Sequence, residues 1–386
     1  MIKRAIEPYV RKLAKEFSVV SIMGPRQTGK TTLAKSIFYN YEYVNLEDPN
    51  VRRAAEYDGA TFLKNHPAPL VIDEAQYVPE LLSHIQVIVD EMPKRKGLYV
   101  ITGSHQPRLR EGLAQSLAGR VGICHLLPLS LAELKNSGNA LDDRDDLLYK
   151  GLMPRIYDER IDPMDLYANY VATYLERDVS QIVQLRDRRQ FGLFLRLLAG
   201  RVGQMLKYDA LAGDVGVSAV TIKSWVSVLE ASYVAFTVPC YYRNYGKRFV
   251  KAPKLYFCDT GLVCYLLGIR GPEVVARDPA LGHIFENLVM LEAFKARFAK
   301  GLPPDIYFIR DQKGREVDLV VETGRDLGLY EVKSARTYSA DFAANLKAVR
   351  SYIPEVSKIG VVYSGKNLLG GEVDYLNFTE VGSVFA

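Results

Sequence analysis

Eight consecutive residues near the start, Gly24-Pro25-Arg26-Gln27-Thr28-Gly29-Lys30-Thr31, follow the pattern G-x-x-x-x-G-K-T. Two glycines at that spacing let the backbone curl so that successive N–H groups face one point and form an anion nest. Lys30 can reach the outer phosphates of a nucleoside triphosphate, and the Thr31 hydroxyl suits Mg²⁺. Further along, Leu70-Val71-Ile72-Asp73-Glu74 is an apolar run ending in two carboxylates. Asp73 there would hold the Mg²⁺ through water, and Glu74 would polarise the attacking water. The set predicts ATP and Mg²⁺ as ligands. Gly24 to Thr31 and Thr32 form the cradle, Thr31 and Asp73 serve the metal, and Lys30 and Glu74 carry the catalysis.

Two more positions could join that site. The run Gly97 to Ser104 ends in small polar residues, so Ser104 or Thr102 could sense the outermost phosphate. Arg120, in Leu117-Ala118-Gly119-Arg120-Val121, is either a finger that stabilises transition-state charge on a neighbour's phosphate or a structural ion pair.

A second constellation lies in the last third. Glu286 stands among apolar residues at the start of an amphipathic helical pattern. Asp318 and Glu331-Val332-Lys333 follow on two apolar runs joined by Thr323-Gly324-Arg325-Asp326. These runs read as a hairpin, and period-two alternation puts Glu331 and Lys333 on one face. Asp318 and Glu331 offer hard oxygen ligands to a divalent metal, with the Val332 carbonyl as a further one and Glu286 completing the surroundings. Lys333 would orient or deprotonate the attacking water of a metal-dependent phosphodiester cleavage. The other reading is a scaffold or binding surface that never cuts.

The elements that must position these groups are also legible. Ser18 to Met23 reads as a buried strand and Thr31 to Tyr39 as a helix whose N-terminus faces the phosphates. Tyr43 to Leu46, Leu70 to Ile72 and Gly97 to Ser104 are further strands, with acids at carboxyl ends where open α/β sheets place their ligands. In the middle, helical patterns run from Asp165 to Val183 and from Gln190 to Gly200. Next come Tyr208 to Ala212, a turn over Gly213 to Val217, and a helix capped by Ser218 and running to about Glu230. Val220, Ile222, Val226 and Leu229 form its predicted apolar face, with Thr221, Lys223 and Ser224 outward. That is helix-turn-helix grammar, followed by a strand over Val234 to Pro239 and a wing over Tyr241 to Lys254. The wing carries Arg243, Lys247, Arg248, Lys251 and Lys254 among Tyr241, Tyr242 and Tyr245 without an acid. Such a wing either binds DNA through its phosphates and bases or meets a protein.

Composition bounds the rest. A chain of 386 residues exceeds one core and predicts two or three domains. Apolar content of 48% and a net charge of +5 are those of a soluble protein without general attraction to nucleic acid, so DNA contact would need a local patch. Cys124, Cys240, Cys258 and Cys264 have no C-x-x-C spacing, which indicates neither zinc nor a disulfide framework. No signal peptide is evident, and the apolar stretch Ala231 to Tyr242 is too short to span a bilayer. A cytoplasmic address with no membrane partner is the expectation.

Taken together, G-P-R-Q-T-G-K-T-T-L, L-V-I-D-E-A-Q, I-T-G-S-H-Q, L-A-G-R and Leu127-Pro128-Leu129-Ser130-Leu131-Ala132-Glu133 resemble the AAA+ ATPases. The likeness is to a bacterial and archaeal branch with a C-terminal module. It continues through Gly151-Leu152-Met153-Pro154 and the run Tyr170 to Asp178, nearly the whole chain. It implies nucleotide and catalytic roles for Lys30, Thr31, Asp73 and Glu74, with Arg177 as candidate second-sensor arginine. A finger acting in trans would imply a homo-oligomer. The pattern Glu286…Asp318…Glu331-x-Lys333 resembles the PD-(D/E)XK nuclease-like fold over Gly271 to Ala386, with Val317 where the family name has proline. The expected class is therefore α/β. A P-loop AAA+ parallel-sheet domain (1–135) precedes an α-helical and winged-helix domain (136–270) and a nuclease-like α/β domain (271–386). The resemblance implies an ATPase coupled to DNA, or alternatively a signalling or scaffold ATPase whose C-terminal modules bind protein.

Overall fold

The computed structural model describes residues 1–104, 107–139, 143–179, 188–241, 252–311 and 314–385, without the side chains of 107, 108, 110, 111, 176–179 and 188. The N-terminal apolar runs become β1 (Val19–Met23), β2 (Glu42–Asn45), β3 (Leu70–Asp73), β4 (Tyr99–Gly103) and β5 (Val121–His125). They form one sheet in the order β2-β3-β4-β1-β5, and every pairing is parallel. β1, β3 and β4 are buried along their lengths, which is why they read as unbroken apolar runs. Val20 and Ile22 of β1 pack with Val10, Leu13, Leu33 and Ile37 from the helices Glu7–Glu16 and Lys30–Ile37. Val19 and Met23 face the other way, into a layer with Phe62, Leu81 and Ile85. Because the strands run parallel, the loops leaving β1, β3 and β4 meet at one edge of the sheet.

The helices Pro154–Asp158 and Pro163–Tyr170 follow, the latter continuing as a π-helix over Val171–Val179, and then the helix Arg188–Ala199. The expected helix pair is Tyr208–Val215 and Ala219–Ala231, the second capped by Ser218, whose hydroxyl accepts from the Thr221 N–H at 3.1 Å. Two details differ from expectation. The first helix runs on through Val215 and stops at Gly216 in the left-handed region, so the turn is shorter than five residues. Val220 is 79% exposed, because it lies two positions, or about 200° of helix, from Ile222, which leads the buried face with Trp225, Val226 and Leu229. β6 (Ala235–Val238) and β7 (Lys254–Phe257) then pair antiparallel. Of the expected wing, Tyr242, Arg243, Tyr245, Lys247, Arg248 and Lys251 lie outside the described residues.

The C-terminal part runs through the helix Leu281–Ala299, β8 (Ile306–Arg310), β9 (Glu316–Thr323), β10 (Asp326–Lys333), the helix Ala344–Arg350, β11 (Val356–Tyr363) and β12 (Asp374–Asn377). The sheet order is β12-β11-β10-β9-β8, with β8, β9 and β10 antiparallel and β10, β11 and β12 parallel. The hairpin read from the sequence is β9–β10, turning at Gly324 (φ 65°). Nothing in the core breaks at 270. Tyr256, Phe257 and Leu262 share one apolar cluster with Ile284, Phe285 and Leu288, and the cluster takes in Ile2 and residues from Leu129 to Phe385.

Candidate functional site

The phosphate loop leaves β1 at Gly24, where a Cβ would overlap the Leu126 carbonyl oxygen, so glycine is required for that approach. Gln27 (φ 64°) and Gly29 (φ 87°) turn the loop, and Gly29 hands over to the helix Lys30–Ile37. Thr28 closes the curl by donating to the Pro25 carbonyl at 2.9 Å. Lys30 heads the helix, and its ammonium donates to the carbonyls of Gly24 (3.1 Å) and Pro25 (2.7 Å). Burial holds its pKa down to about 8, only partly offset by Glu74 and Asp73. Thr31 donates to both Asp73 oxygens, at 3.1 and 2.8 Å, and Tyr43 donates to Asp73 Oδ2 at 2.7 Å. Thr102, at the end of β4, also donates to Asp73. A hydroxyl and a carboxylate in contact at the mouth of an anion nest are a donor set that fits Mg²⁺, so Thr31 and Asp73 are the residues that would hold it.

Glu74 adopts the left-handed region (φ 56°, ψ 44°), which is costly for a residue with a Cβ and is a mark of functional positions. Its carboxylate accepts from the Gln76 amide, which also donates to Ser104 Oγ at 3.2 Å. Ser104 thus reaches the site through Gln76, a residue to which the sequence reading gave no role. Arg26, Gln27, Thr28, Gly29, Lys30, Thr31, Thr32 and Glu74 line a cavity of about 750 Å³. Arg155, Thr173 and Tyr174 from the helical region line it as well. Arg26 lies 5.1 Å from the Tyr174 ring centre. The side chain of Arg177 lies outside the described residues.

Arg120 stands elsewhere. Its guanidinium grips both oxygens of Asp90 in a two-pronged pair. Its carbonyl accepts from Val19 at the start of β1, the end of the sheet opposite the phosphate loop. Among the described residues, it does not line the pocket of its own chain.

Sequence reasoning also missed Arg4, a buried residue with no motif around it. It donates to the carbonyls of Thr28 (2.7 Å) and Leu127 (2.6 Å) and pairs with Glu133 at 3.2 Å. Glu133 is the closing residue of a capping box with Ser130. The next N–H, Leu131, donates to Glu292 at 2.9 Å, and Lys295 donates to the Leu129 carbonyl at 2.7 Å. Glu292 and Lys295 belong to the Leu281–Ala299 helix, which also carries Glu286.

The second constellation is brought together, but around an ammonium. Lys254, read as a wing residue, is 2% exposed at the start of β7. Its Nζ lies 2.8 Å from Glu286 Oε1, 2.6 Å from Glu316 Oε1 and 3.6 Å from Asp318 Oδ1. Tyr256 adds a hydroxyl to Glu286 Oε1 at 2.6 Å, and the Val332 N–H donates to Asp318 Oδ2 at 2.9 Å. Lys333 donates to Glu331 Oε1 at 2.6 Å, so the two do share a face. Burial, then the neighbouring Asp318 charge, pushes the Glu331 carboxyl up, and burial with Glu286 pushes Asp318 up. For Glu286 burial is the largest influence and pushes up, but the Lys254 charge together with hydrogen bonds from His283, Lys254 and Tyr256 overcomes it and the carboxyl is held down. Among the described residues, no group of three or more His, Cys, Asp or Glu is set to hold a metal ion. Of the expected ligands, Glu286 and Asp318 thus share the Lys254 ammonium where a divalent metal was expected, and Glu331 pairs with Lys333 instead.

Residues 16–135 match an AAA domain, and residues 141–273 and 281–381 match two domains of unknown function, DUF8612 and DUF4143. Uncharacterized protein Rv2008c of Mycobacterium tuberculosis is 31% identical over 366 residues, covering 93% of this chain and 79% of that protein. Uncharacterized protein Mb2031c of Mycobacterium bovis matches with the same 31% identity and coverage of 93% and 79%. Among solved structures, a Walker-type ATPase of Pyrococcus abyssi is similar at 11% identity and a TM-score of 0.42, over 69% of this chain and 96% of that one. The chain belongs to the family of these mycobacterial proteins, and its N-terminal unit is an AAA domain of the P-loop ATPase type.

Proposed function

We propose that this protein hydrolyses ATP in the N-terminal pocket with Mg²⁺ and passes the nucleotide state to a DNA-engaging, nuclease-like C-terminal region. One observation carries the reading: Thr31 is bonded to Asp73 at the mouth of the phosphate loop, with Glu74 strained into the same cavity. Lys30 exchanges two carbonyl partners for phosphate oxygens, which are charged and stronger acceptors. Mg²⁺, when bound, neutralises charge on the outer phosphates. Glu74 orients the attacking water and accepts its proton, and Gln76 aims that carboxylate from Ser104. Arg155, Thr173 and Tyr174 give the helical region a direct view of the phosphates.

The DNA part of the reading is supported by the helix pair with Lys223 and Ser224 exposed, the β6–β7 pair of a winged helix and the basic composition of 242–251. The nuclease-like part is supported by the order helix-β-β-β-helix-β from Leu281 to Tyr363, with Asp318 and Glu331-x-Lys333 on adjacent strands. Lys254 favours a second reading of that part, a module that binds and does not cut. The test is ATP turnover by the full chain with and without duplex DNA. Turnover abolished by Lys30→Ala and altered by DNA supports the proposal; turnover indifferent to DNA at low salt removes the DNA part.

A further inference from the structure

Outside the ATP pocket, Lys254 is a buried ammonium set against Glu286, Glu316 and Asp318. A buried ammonium with three carboxylates is unusual, since each ion loses hydration that only close partners restore. Its surroundings leave it nowhere else to go. The backbone is fixed by the β6–β7 ladder and by a bridge to Met205. The side chain lies with Nζ 5.5 Å from the centre of the Phe308 ring.

The oxygens a metal would need are already committed. Glu286 Oε1 accepts from Lys254 and Tyr256, Asp318 Oδ1 faces Lys254, and Asp318 Oδ2 accepts from Val332. Glu316 is divided between Lys254 and Arg310, at 2.6 Å each. Glu331 Oε2 is buried without a hydrogen-bond partner, and Glu286 Oε2 faces His283 Nδ1 at 3.9 Å. A divalent ion would have to take its carboxylate oxygens in competition with the ammonium that already bonds them. Such an ion would also sit against a positive charge in a poorly screened interior.

We infer that Lys254 is the resident cation of this cluster. It takes the place of a divalent metal, and the C-terminal module holds its nuclease-like carboxylates together in a form that binds without cutting. The inference rests on the nuclease-like reading for its meaning, and on the ion-pair geometry alone for its truth.

The test is Mn²⁺ binding to the full chain without nucleotide, followed by paramagnetic resonance and by calorimetry. The expected result is that wild type shows no Mn²⁺ site dependent on Asp318, judged against Asp318→Asn. Lys254→Met, which keeps the length and removes the charge, should gain about tenfold or more in Mn²⁺ affinity. The gain should vanish in Lys254→Met/Asp318→Asn. An Asp318-dependent Mn²⁺ site in wild type overturns the inference, as does a folded Lys254→Met protein with no new site. If Lys254→Met does not fold, the wild-type comparison with Asp318→Asn still decides. Metal-dependent DNA cleavage lost in Asp318→Asn overturns the inference while sustaining the nuclease reading. Absence of both Mn²⁺ and DNA binding sinks the nucleic-acid reading and leaves Lys254 in its role.

Discussion

Arg4 and Glu133 form a buried ion pair at 3.2 Å that joins the back of the phosphate loop to the start of the next unit. The guanidinium holds the Thr28 carbonyl, and the carboxylate holds the N–H groups of Ala5 (2.6 Å) and Ser130 (2.8 Å). Removing one partner strands a charge that cannot reach water. Glu133→Ala should cost about 3–5 kcal/mol in denaturant unfolding. A loss below about 1 kcal/mol would show that the pair carries little.

Glu74→Gln should keep ATP affinity and slow hydrolysis by roughly 10²–10⁴, the range for a lost proton acceptor. Full turnover in that variant removes Glu74 from its role. Gln76→Leu should lower kcat with little change in KM, because it frees Glu74 without touching the phosphate cradle. An unchanged kcat would reduce Gln76 to packing.

Lys30 gives a pH signature with a definite sign. Its pKa in the nucleotide-free fold is held down to about 8, below the ordinary lysine value. Between the two values the unfolded chain binds more protons than the folded one, so stability of the free protein rises with pH across that window. Triphosphate favours the charged lysine, so binding above pH 8 draws a proton in and ATP affinity falls as pH rises. Calorimetry at pH 8.5 in two buffers of different ionisation heat should show that uptake. Identical heats would place the Lys30 pKa well above its assigned position.

For the helix pair, Lys223→Glu should weaken DNA binding and lower the salt slope by about one, since a surface lysine acts on phosphate. Binding that ignores both salt and this charge reversal would turn the helix face toward protein partners.

Much of the first site was legible because its chemistry is local in sequence. Gly24 to Thr31 and Leu70 to Glu74 carry their own backbone requirements, and a parallel sheet brings such ends together by rule. The carboxylate pair with Lys333 was legible for a similar reason, a hairpin with period-two alternation. What escaped notice depends on contacts distant in the chain. Arg4 meets Glu133 across more than a hundred residues, and nothing near Arg4 announces burial. Lys254 misled, because a lysine after a basic run reads as solvated until Glu286 and Asp318 fold over it. Val220 misled by type, an apolar residue on the wet side of its helix. Tyr241 did likewise. Expected to stack on bases, it packs edge-on to Tyr307 in the C-terminal core.

Two sequence families meet between residues 273 and 281, yet Phe257 and Phe285 lie in the same apolar mass. What heredity treats as a seam is, mechanically, solid. A motion driven from the nucleotide should therefore carry the packing around Phe257 and Phe285 across that seam as one piece, with the Arg4–Glu133 clasp at its junction to the AAA domain.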